Sequence, residues 1–167
     1  PDAKATEAGV DIVDPALSSM AGFTSPPAAS SLHYALKGGK REVQANVEAL
    51  ESLSYYWEDV RKYYQNFESG MNSPHSEVYV HEMPGGQYSN LQQQAKAVGL
   101  GNRWEEVKGM YSRVNLLFGV GVKVPPSSRV VGDLALFMVQ HELDEATVLE
   151  RGNVSDFQGS VLEFLEG

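Results

Sequence analysis

Apolar residues recur every three or four positions over most of the sequence, which is the period of an α-helix with one buried face. The pattern is strongest in residues 47–64 and 104–118, and in the second segment the apolar positions are spaced 3-4-3-4. Asn102 lies three residues before Glu105, which predicts a capping box at the start of that helix. Further helices are predicted for residues 30–36, 87–98, 130–138, 144–152 and 160–165. The pattern therefore predicts a mainly α-helical fold.

Two segments instead favour extended backbone, residues 8–14 and 77–82. In the first, Ile12 and Val13 are β-branched, and Pro15 limits how far a hydrogen-bonded ladder can run. A single strand is not stable without partners. The segment therefore indicates a piece of something larger.

Residues 122–133, VKVPPSSRVVGD, combine a helix start with a group of polar side chains. Proline is favourable at the first helical position, because its missing N–H would have no partner there. If Pro126 takes that position, Pro125 is the N-cap. The N–H groups of Ser127 and Ser128 then lie beside Arg129 at the positive end of the helix dipole, where an anion or a carbonyl oxygen can bind. A plain helix start is the alternative, although Pro125 has no side-chain acceptor for capping.

Length, composition and charge limit the classes of function. The 167 residues suggest one domain, and the absence of cysteine excludes disulfides, thiolate catalysis and cysteine zinc sites. No apolar run is long enough to cross a membrane, and no signal peptide is visible, so we expect a cytoplasmic location. The net charge is −9, and no basic run is longer than Lys40 and Arg41, which argues against a nucleic-acid partner.

Three other patterns have both a functional and a structural interpretation. His75 and His81 are six residues apart with acids nearby, but this spacing does not imply convergent metal ligands, and surface histidines are favoured. The sequence Gly-Gly-Lys at residues 38–40 lacks the rest of a phosphate-loop motif, and a helix C-cap is favoured. The aromatic clusters at 55–57 and 63–64 have helical spacing, which favours packing over ligand stacking.

Several longer strings together resemble bacterial pyruvate carboxylase, in the second half of its carboxyltransferase domain. They are AGVDIVD, TSPPAASSLHYAL, YYWEDVRKYY, FESG, SEVYVHEMPGGQYSNLQQQAKAVGLG and VKVPPSSRVVGDLALFMVQ. The similarity covers residues 7–167. Transcarboxylase and oxaloacetate decarboxylase subunits share the architecture but match these strings less well.

The resemblance implies a fold and a function for the chain. Residues 1–40 would be the end of a (β/α)8 TIM barrel, with residues 9–14 as its last strand, and residues 41–167 would be the appended helical, funnel-like region. The parent enzyme carboxylates pyruvate to oxaloacetate with biotin on a swinging carrier domain, uses ATP and a divalent metal, and is usually a homotetramer. The family's metal ligands and biotin-attachment motif are not in this sequence, so the resemblance implies that the chain alone is inactive.

The resemblance also implies roles for three residues. The family pattern at residues 124–129 is V-T-P-S-S-K, whose threonine shuttles a proton, and whose second serine and lysine lie in the biotin pocket. These positions are Pro125, Ser128 and Arg129. Proline has no hydroxyl and cannot act in acid–base catalysis. This substitution leaves open an alternative in which the chain is a non-catalytic helical docking module.

Overall fold

The computed structural model describes residues 2–68, 70–71, 73, 76–121, 126–151 and 157–166. The chain divides into two compact units, Pro1–Pro74 and His75–Gly167. The described residues form helices, turns and loops without a β-strand, which confirms the prediction of a mainly helical chain.

The first unit contains two of the predicted helices. Its α-helices are α1 (Asp2–Glu7), α2 (Ala29–Leu36) and α3 (Val47–Arg61), and 3-10 turns cover Ser18–Met20 and Lys62–Phe67. α2 and α3 confirm the helices predicted for residues 30–36 and 47–64. The Asn46 side chain caps α3 by accepting a 3.0 Å hydrogen bond from the Ala49 N–H.

The extended prediction for residues 8–14 is wrong for this chain. The Val10 N–H bonds to the Ala5 carbonyl at 3.1 Å and so continues the turn after α1. An isolated parallel bridge between Ala16 and Ala28 is the nearest feature to sheet pairing in the described part of the unit. A strand needs a neighbour, and the described residues supply none.

α2 ends as the sequence predicts. Gly38 has φ 76°, and the Gly39 N–H bonds to the Leu36 carbonyl at 3.0 Å. Glycine adopts this left-handed conformation without a steric penalty, which is why it closes helices. The sequence Gly-Gly-Lys at 38–40 is therefore a helix end, as favoured.

The packing interpretation of the aromatic clusters is wrong for the described chain. The most buried residue of α3 is polar: Ser54 Oγ accepts a 2.8 Å hydrogen bond from the Ser19 N–H. Leu32 is the one large apolar side chain among the unit's described residues that is buried. The aromatic side chains of α3 and the following turn are exposed instead, among them Tyr55, Tyr56, Trp57, Tyr63, Tyr64 and Phe67. These side chains form a surface rather than a core.

The second unit has a well-filled core around α6 (Trp104–Leu117) and α7 (Ser127–Gln140). α5 (Gly85–Ala97), α8 (Glu145–Arg151) and α9 (Gly159–Glu166) pack around this pair and match the remaining predicted helices. Apolar side chains from α5, α6, α7 and α9 are buried, including Leu91, Val107, Val114, Met138 and Val161. Gly132 allows α5 close to α7, because a Cβ there would lie 2.3 Å from Gln87 Nε2 and 3.1 Å from Leu91 Cδ1.

Residues 77–82 form a helical turn rather than extended backbone, which corrects the sequence prediction. α4 (Val78–His81) is closed by Glu82, whose φ of 59° is left-handed. The Glu82 N–H bonds to the Val78 carbonyl at 2.8 Å. One helical turn is too short to show the apolar period of a helix, so the valines of this segment favour a strand in the sequence prediction.

The predicted capping box at Asn102 is also wrong. A 3-10 turn occupies Gly101–Arg103, so α6 begins at Trp104 without a side-chain cap. Asp144, by contrast, caps α8 as predicted, since its Oδ1 accepts a 2.8 Å hydrogen bond from the Thr147 N–H.

A search of the described residues finds no helix that is long and apolar enough to cross a membrane.

Candidate functional site

The candidate site is the first turn of α7. Pro126 precedes the helix with φ −86° and ψ −15°, and its carbonyl accepts hydrogen bonds from the N–H groups of Arg129 and Val130 at 3.0 and 3.2 Å. Pro126 is therefore the N-cap and Ser127 the first helical residue, one position later than the sequence suggested. Pro125, where the resemblance implies a threonine in related proteins, lies outside the described residues.

Ser128 and Arg129 have opposite environments. Ser128 is buried, and its carbonyl accepts a 3.4 Å hydrogen bond from the Tyr111 hydroxyl. The Arg129 side chain is 70% exposed, and its Nε lies 3.6 Å from Asp133 Oδ2. The helix start therefore presents a fixed polar backbone on one side and a guanidinium in solvent on the other.

A cavity of about 30 Å³ lies against this turn. Side chains from α6, α7 and α9 line it, and among them are Asn115, Ser127, Ser128 and Phe164. A volume of this size holds a water molecule or one small polar group, because a single water needs about 10–15 Å³ on this measure. The polar side chains that line the cavity come from α6 and α7, and the rings of Phe118 and Phe164 form its apolar wall.

A buried polar cluster supports the turn from α6. Asn115 Nδ2 donates a 2.8 Å hydrogen bond to the Glu82 carboxylate. Burial raises the pKa of Tyr111 to about 12, and the negative charge of Glu82 adds to this shift. Tyr111 therefore keeps its proton at neutral pH and can donate it in a hydrogen bond.

Sequence reasoning missed these supporting residues. Asn115 follows Tyr111 by four positions, so it lies on the buried stripe of α6. An amide on an otherwise apolar stripe needs a buried partner, and that signal could have pointed to Asn115. The signal would not have identified Glu82 as the partner, since the two residues are 33 positions apart.

The C-terminal helix α9 is tied to the same turn. Ser160 Oγ donates a 2.6 Å hydrogen bond to Asp133 Oδ2, the oxygen that also faces Arg129. The Phe118 and Phe164 rings meet edge to face, with centroids 5.4 Å apart. α9 thereby holds one wall of the cavity in place.

The predicted surface location is wrong for His81. This side chain is buried, and its Nδ1 accepts a 2.9 Å hydrogen bond from the Met83 N–H. The ring also lies 5.6 Å from that of Tyr88. His75 lies outside the described residues, and no group of three or more potential metal ligands occurs in the described part of the chain.

The conserved carboxylase domain family model matches residues 78–167, and pyruvate carboxylases match nearly the whole chain. The chain is 64% identical to pyruvate carboxylase from Bacillus subtilis over 165 residues, which is 99% of this chain and 14% of that protein. It is 58% identical to the Staphylococcus aureus enzyme over 164 residues, again 14% of that protein. The chain thus corresponds to about a seventh of these relatives' length.

A solved structure gives the same result. The carboxyl transferase domain of Rhizobium etli pyruvate carboxylase, solved with pyruvate and biocytin, superposes with a TM-score of 0.89 at 46% identity. The match covers 98% of this chain and 27% of that one. The chain therefore belongs to the conserved carboxylase domain family, and it corresponds to part of the carboxyltransferase region of pyruvate carboxylases.

Proposed function

We propose that the chain is part of a biotin-dependent pyruvate carboxylase and contributes to transfer of a carboxyl group from carboxybiotin to pyruvate, which gives oxaloacetate. The observation that carries this proposal is the match of 98% of the chain to a carboxyl transferase domain solved with pyruvate and biocytin. The 64% identity over 165 residues supports the same enzyme rather than a distant relative.

On this proposal the chain completes a larger domain. Residues 1–40 are the end of a (β/α)8 barrel, and residues 41–167 are the appended helical region. The exposed aromatic side chains on α3 support a missing partner, because an apolar surface of this kind is commonly covered by another part of a protein. The remaining barrel is that partner, the carrier domain delivers biotin, and the parent assembles as a homotetramer in the cytoplasm. The divalent metal and ATP bind parts of the parent outside this chain.

Ser128 and Arg129 form the biotin-facing wall of the active site in this proposal. The donors at the start of α7 suit an oxygen that gains negative charge, and the helix dipole favours the same charge. The cavity fits a small polar group such as a ureido carbonyl, and it is too small for the whole bicyclic ring. Arg129, whose side chain is exposed, can reach a carboxylate that approaches from solvent.

The proton balance makes position 125 the unusual feature of this site. Carboxybiotin supplies the carboxyl group, a carbon–carbon bond forms at the pyruvate methyl, and the proton lost there must reach the biotin nitrogen. Pro125 can neither donate nor accept that proton. We therefore expect transfer in the natural protein to be slower than in relatives with threonine at this position.

The full-length carboxylase tests the proposal through formation of oxaloacetate from pyruvate, bicarbonate and ATP. Ser128→Ala and Arg129→Ala should each slow carboxyl transfer about tenfold or more, as the loss of a positioned donor does. Ser112→Ala, a change at a hydroxyl outside the cavity lining, is the matched control. The 167-residue chain alone should not decarboxylate oxaloacetate. A full-length protein that forms no oxaloacetate, even with Pro125→Thr, would overturn the proposal.

A further inference from the structure

Glu82 occupies a strained conformation next to the candidate site. Its φ of 59° and ψ of 16° lie in the left-handed region, which a residue with a Cβ rarely adopts. The next N–H, that of Met83, is fixed by a 2.9 Å hydrogen bond to His81 Nδ1. Such strain persists where the surroundings hold the backbone, and it is common near functional sites.

The Glu82 carboxylate also fixes a buried amide. It accepts a 2.8 Å hydrogen bond from Nδ2 of Asn115, a side chain that is 2% exposed. An ionised carboxylate can only accept, so it selects the amide orientation in which the nitrogen faces Glu82. In this orientation Asn115 Oδ1 can accept a hydrogen bond from a second donor. Asn115 also lines the cavity beside Ser127 and Ser128.

A second connection reaches the same turn from the preceding turn of α6. The fully buried Tyr111 lies four residues before Asn115, and it is close enough to Glu82 for that charge to act on it. Its hydroxyl donates a 3.4 Å hydrogen bond to the Ser128 carbonyl. Asn115 thus joins the carboxylate to the cavity beside the first turn of α7, and Tyr111 bonds the backbone of the same turn.

We propose that Glu82 is a positioning residue that fixes the first turn of α7 for carboxyl transfer, acting through Asn115. The inference rests on the proposed function, because the turn contains Ser128 of the proposed biotin-facing wall. Glu82 itself need not touch a substrate. Its effect is to hold the donors of the turn and the acceptor of Asn115 in one geometry.

A swap of the paired groups tests the proposal in the full-length carboxylase, with and without Pro125→Thr. Asn115→Asp places two carboxylates together, and their repulsion should lower kcat/KM for biocytin in carboxyl transfer by about tenfold or more. Glu82→Gln should cause a smaller loss, since the Gln carbonyl still accepts from Asn115. The double variant Glu82→Gln with Asn115→Asp should recover most of the lost activity, because the Gln amide can donate to the new carboxylate.

Two controls separate positioning from general destabilisation. ATP-dependent carboxylation of biotin, a reaction of another part of the parent, should not change in any variant, and Tm is measured for each. Asn115→Asp at parental activity, or a double variant as slow as Asn115→Asp, would overturn the inference. If Asn115→Asp does not fold, Glu82→Ala, Asn115→Ala and their double variant replace it, and additive losses in kcat/KM then overturn the inference.

The result also distinguishes the two proposals. A parent that transfers no carboxyl group with either residue at position 125 overturns the proposed function. A parent that transfers carboxyl groups while the swap has no effect overturns the role of Glu82 alone.

Discussion

The Asp133 carboxylate of α7 accepts a 2.6 Å hydrogen bond from the hydroxyl of Ser160, the second residue of α9. The carboxylate is buried, and the same oxygen lies 3.6 Å from Nε of the exposed Arg129. An exposed cation at this distance contributes little to stability. The hydrogen bond from Ser160 is therefore the stronger of the two interactions, and it joins the C-terminal helix to the helix that begins at the candidate site.

Ser160→Ala should destabilise the chain by about 1–3 kcal/mol, because a buried carboxylate loses a hydrogen-bond donor. Urea unfolding followed by circular dichroism measures the change. Ser112→Ala is the matched control, since its hydroxyl makes a 3.4 Å hydrogen bond to the Val80 carbonyl, and its effect should stay within about 0.5 kcal/mol. Equal effects of the two substitutions would show that the Asp133 contact adds no stability.

Val120→Asn should stabilise the chain by about 1 kcal/mol. Val120 has φ 57°, and a β-branched side chain is especially unfavourable in this left-handed region. Asparagine tolerates the conformation, and the 3.0 Å hydrogen bond from the residue's N–H to the Asn115 carbonyl is kept.

The same substitution at Val98 provides the control for Val120. Val98 is similarly exposed and also follows a helix, but its φ is −94°. Val98→Asn should therefore give no gain in the free energy of unfolding. A gain of equal size at both positions would assign the effect to asparagine itself rather than to backbone strain.

Tyr111 should make stability fall with pH between about pH 10 and pH 12. Its pKa is raised from 10.0 to about 12 in the folded chain. In this window the unfolded chain has lost the tyrosine proton while the folded chain keeps it, so unfolding releases a proton. Stability is therefore fully present below pH 10 and falls as pH rises, by roughly 1 kcal/mol per pH unit.

Tyr111→Phe isolates this contribution from those of the other groups that change charge at high pH. The free energy of unfolding is measured in urea at pH 9, 10 and 11 for both proteins. The difference between them should shrink as pH rises. A constant difference would mean that Tyr111 titrates alike in the folded and unfolded chains.

If the chain has the proposed function, Pro125→Thr should increase carboxyl transfer by the full-length protein by about 100-fold, the gain expected from an added general acid–base group. Oxaloacetate formation measures the rate, and ATP-dependent biotin carboxylation is the control that should not change. A variant no faster than the natural protein would mean that the proton travels by a route that does not involve position 125.

A tryptic map of the natural protein should contain the peptide VPPSSR. Detection of this peptide would show that proline occupies position 125.

The helices of the second unit could be predicted from the sequence because their apolar period repeats over at least two turns. α6 shows this best, since Trp104, Val107, Tyr111 and Val114 are all buried as their spacing indicates. α4 has one turn and therefore no apolar period, so its sequence favours a strand. The aromatic residues of α3 have the spacing that is typical of the buried face of a helix, and yet they are exposed. Spacing alone does not show whether another surface covers a face.

The candidate site could be predicted only in part. A helix start near the two prolines follows from local sequence, because prolines and serines act within one turn, although the structure begins the helix one residue later, at Ser127. The contribution of Glu82 depends on a left-handed backbone residue and a contact 33 positions away, and local patterns contain neither. The sequence does not predict burial of His81 for a similar reason, because its hydrogen-bond partner Met83 is positioned by the turn at Glu82.

The exposed aromatic side chains of α3 and the turn after it have a practical consequence for handling this chain. Tyr63 is 85% exposed and Phe67 is 77% exposed, and exposed apolar surface of this kind promotes self-association in solution. Charged residues at these two positions would make the 167-residue chain easier to concentrate for spectroscopy. In the proposed parent enzyme, where the barrel covers Tyr63 and Phe67, the same changes would disrupt packing. A soluble form of this chain and an active enzyme therefore require different residues at these two positions.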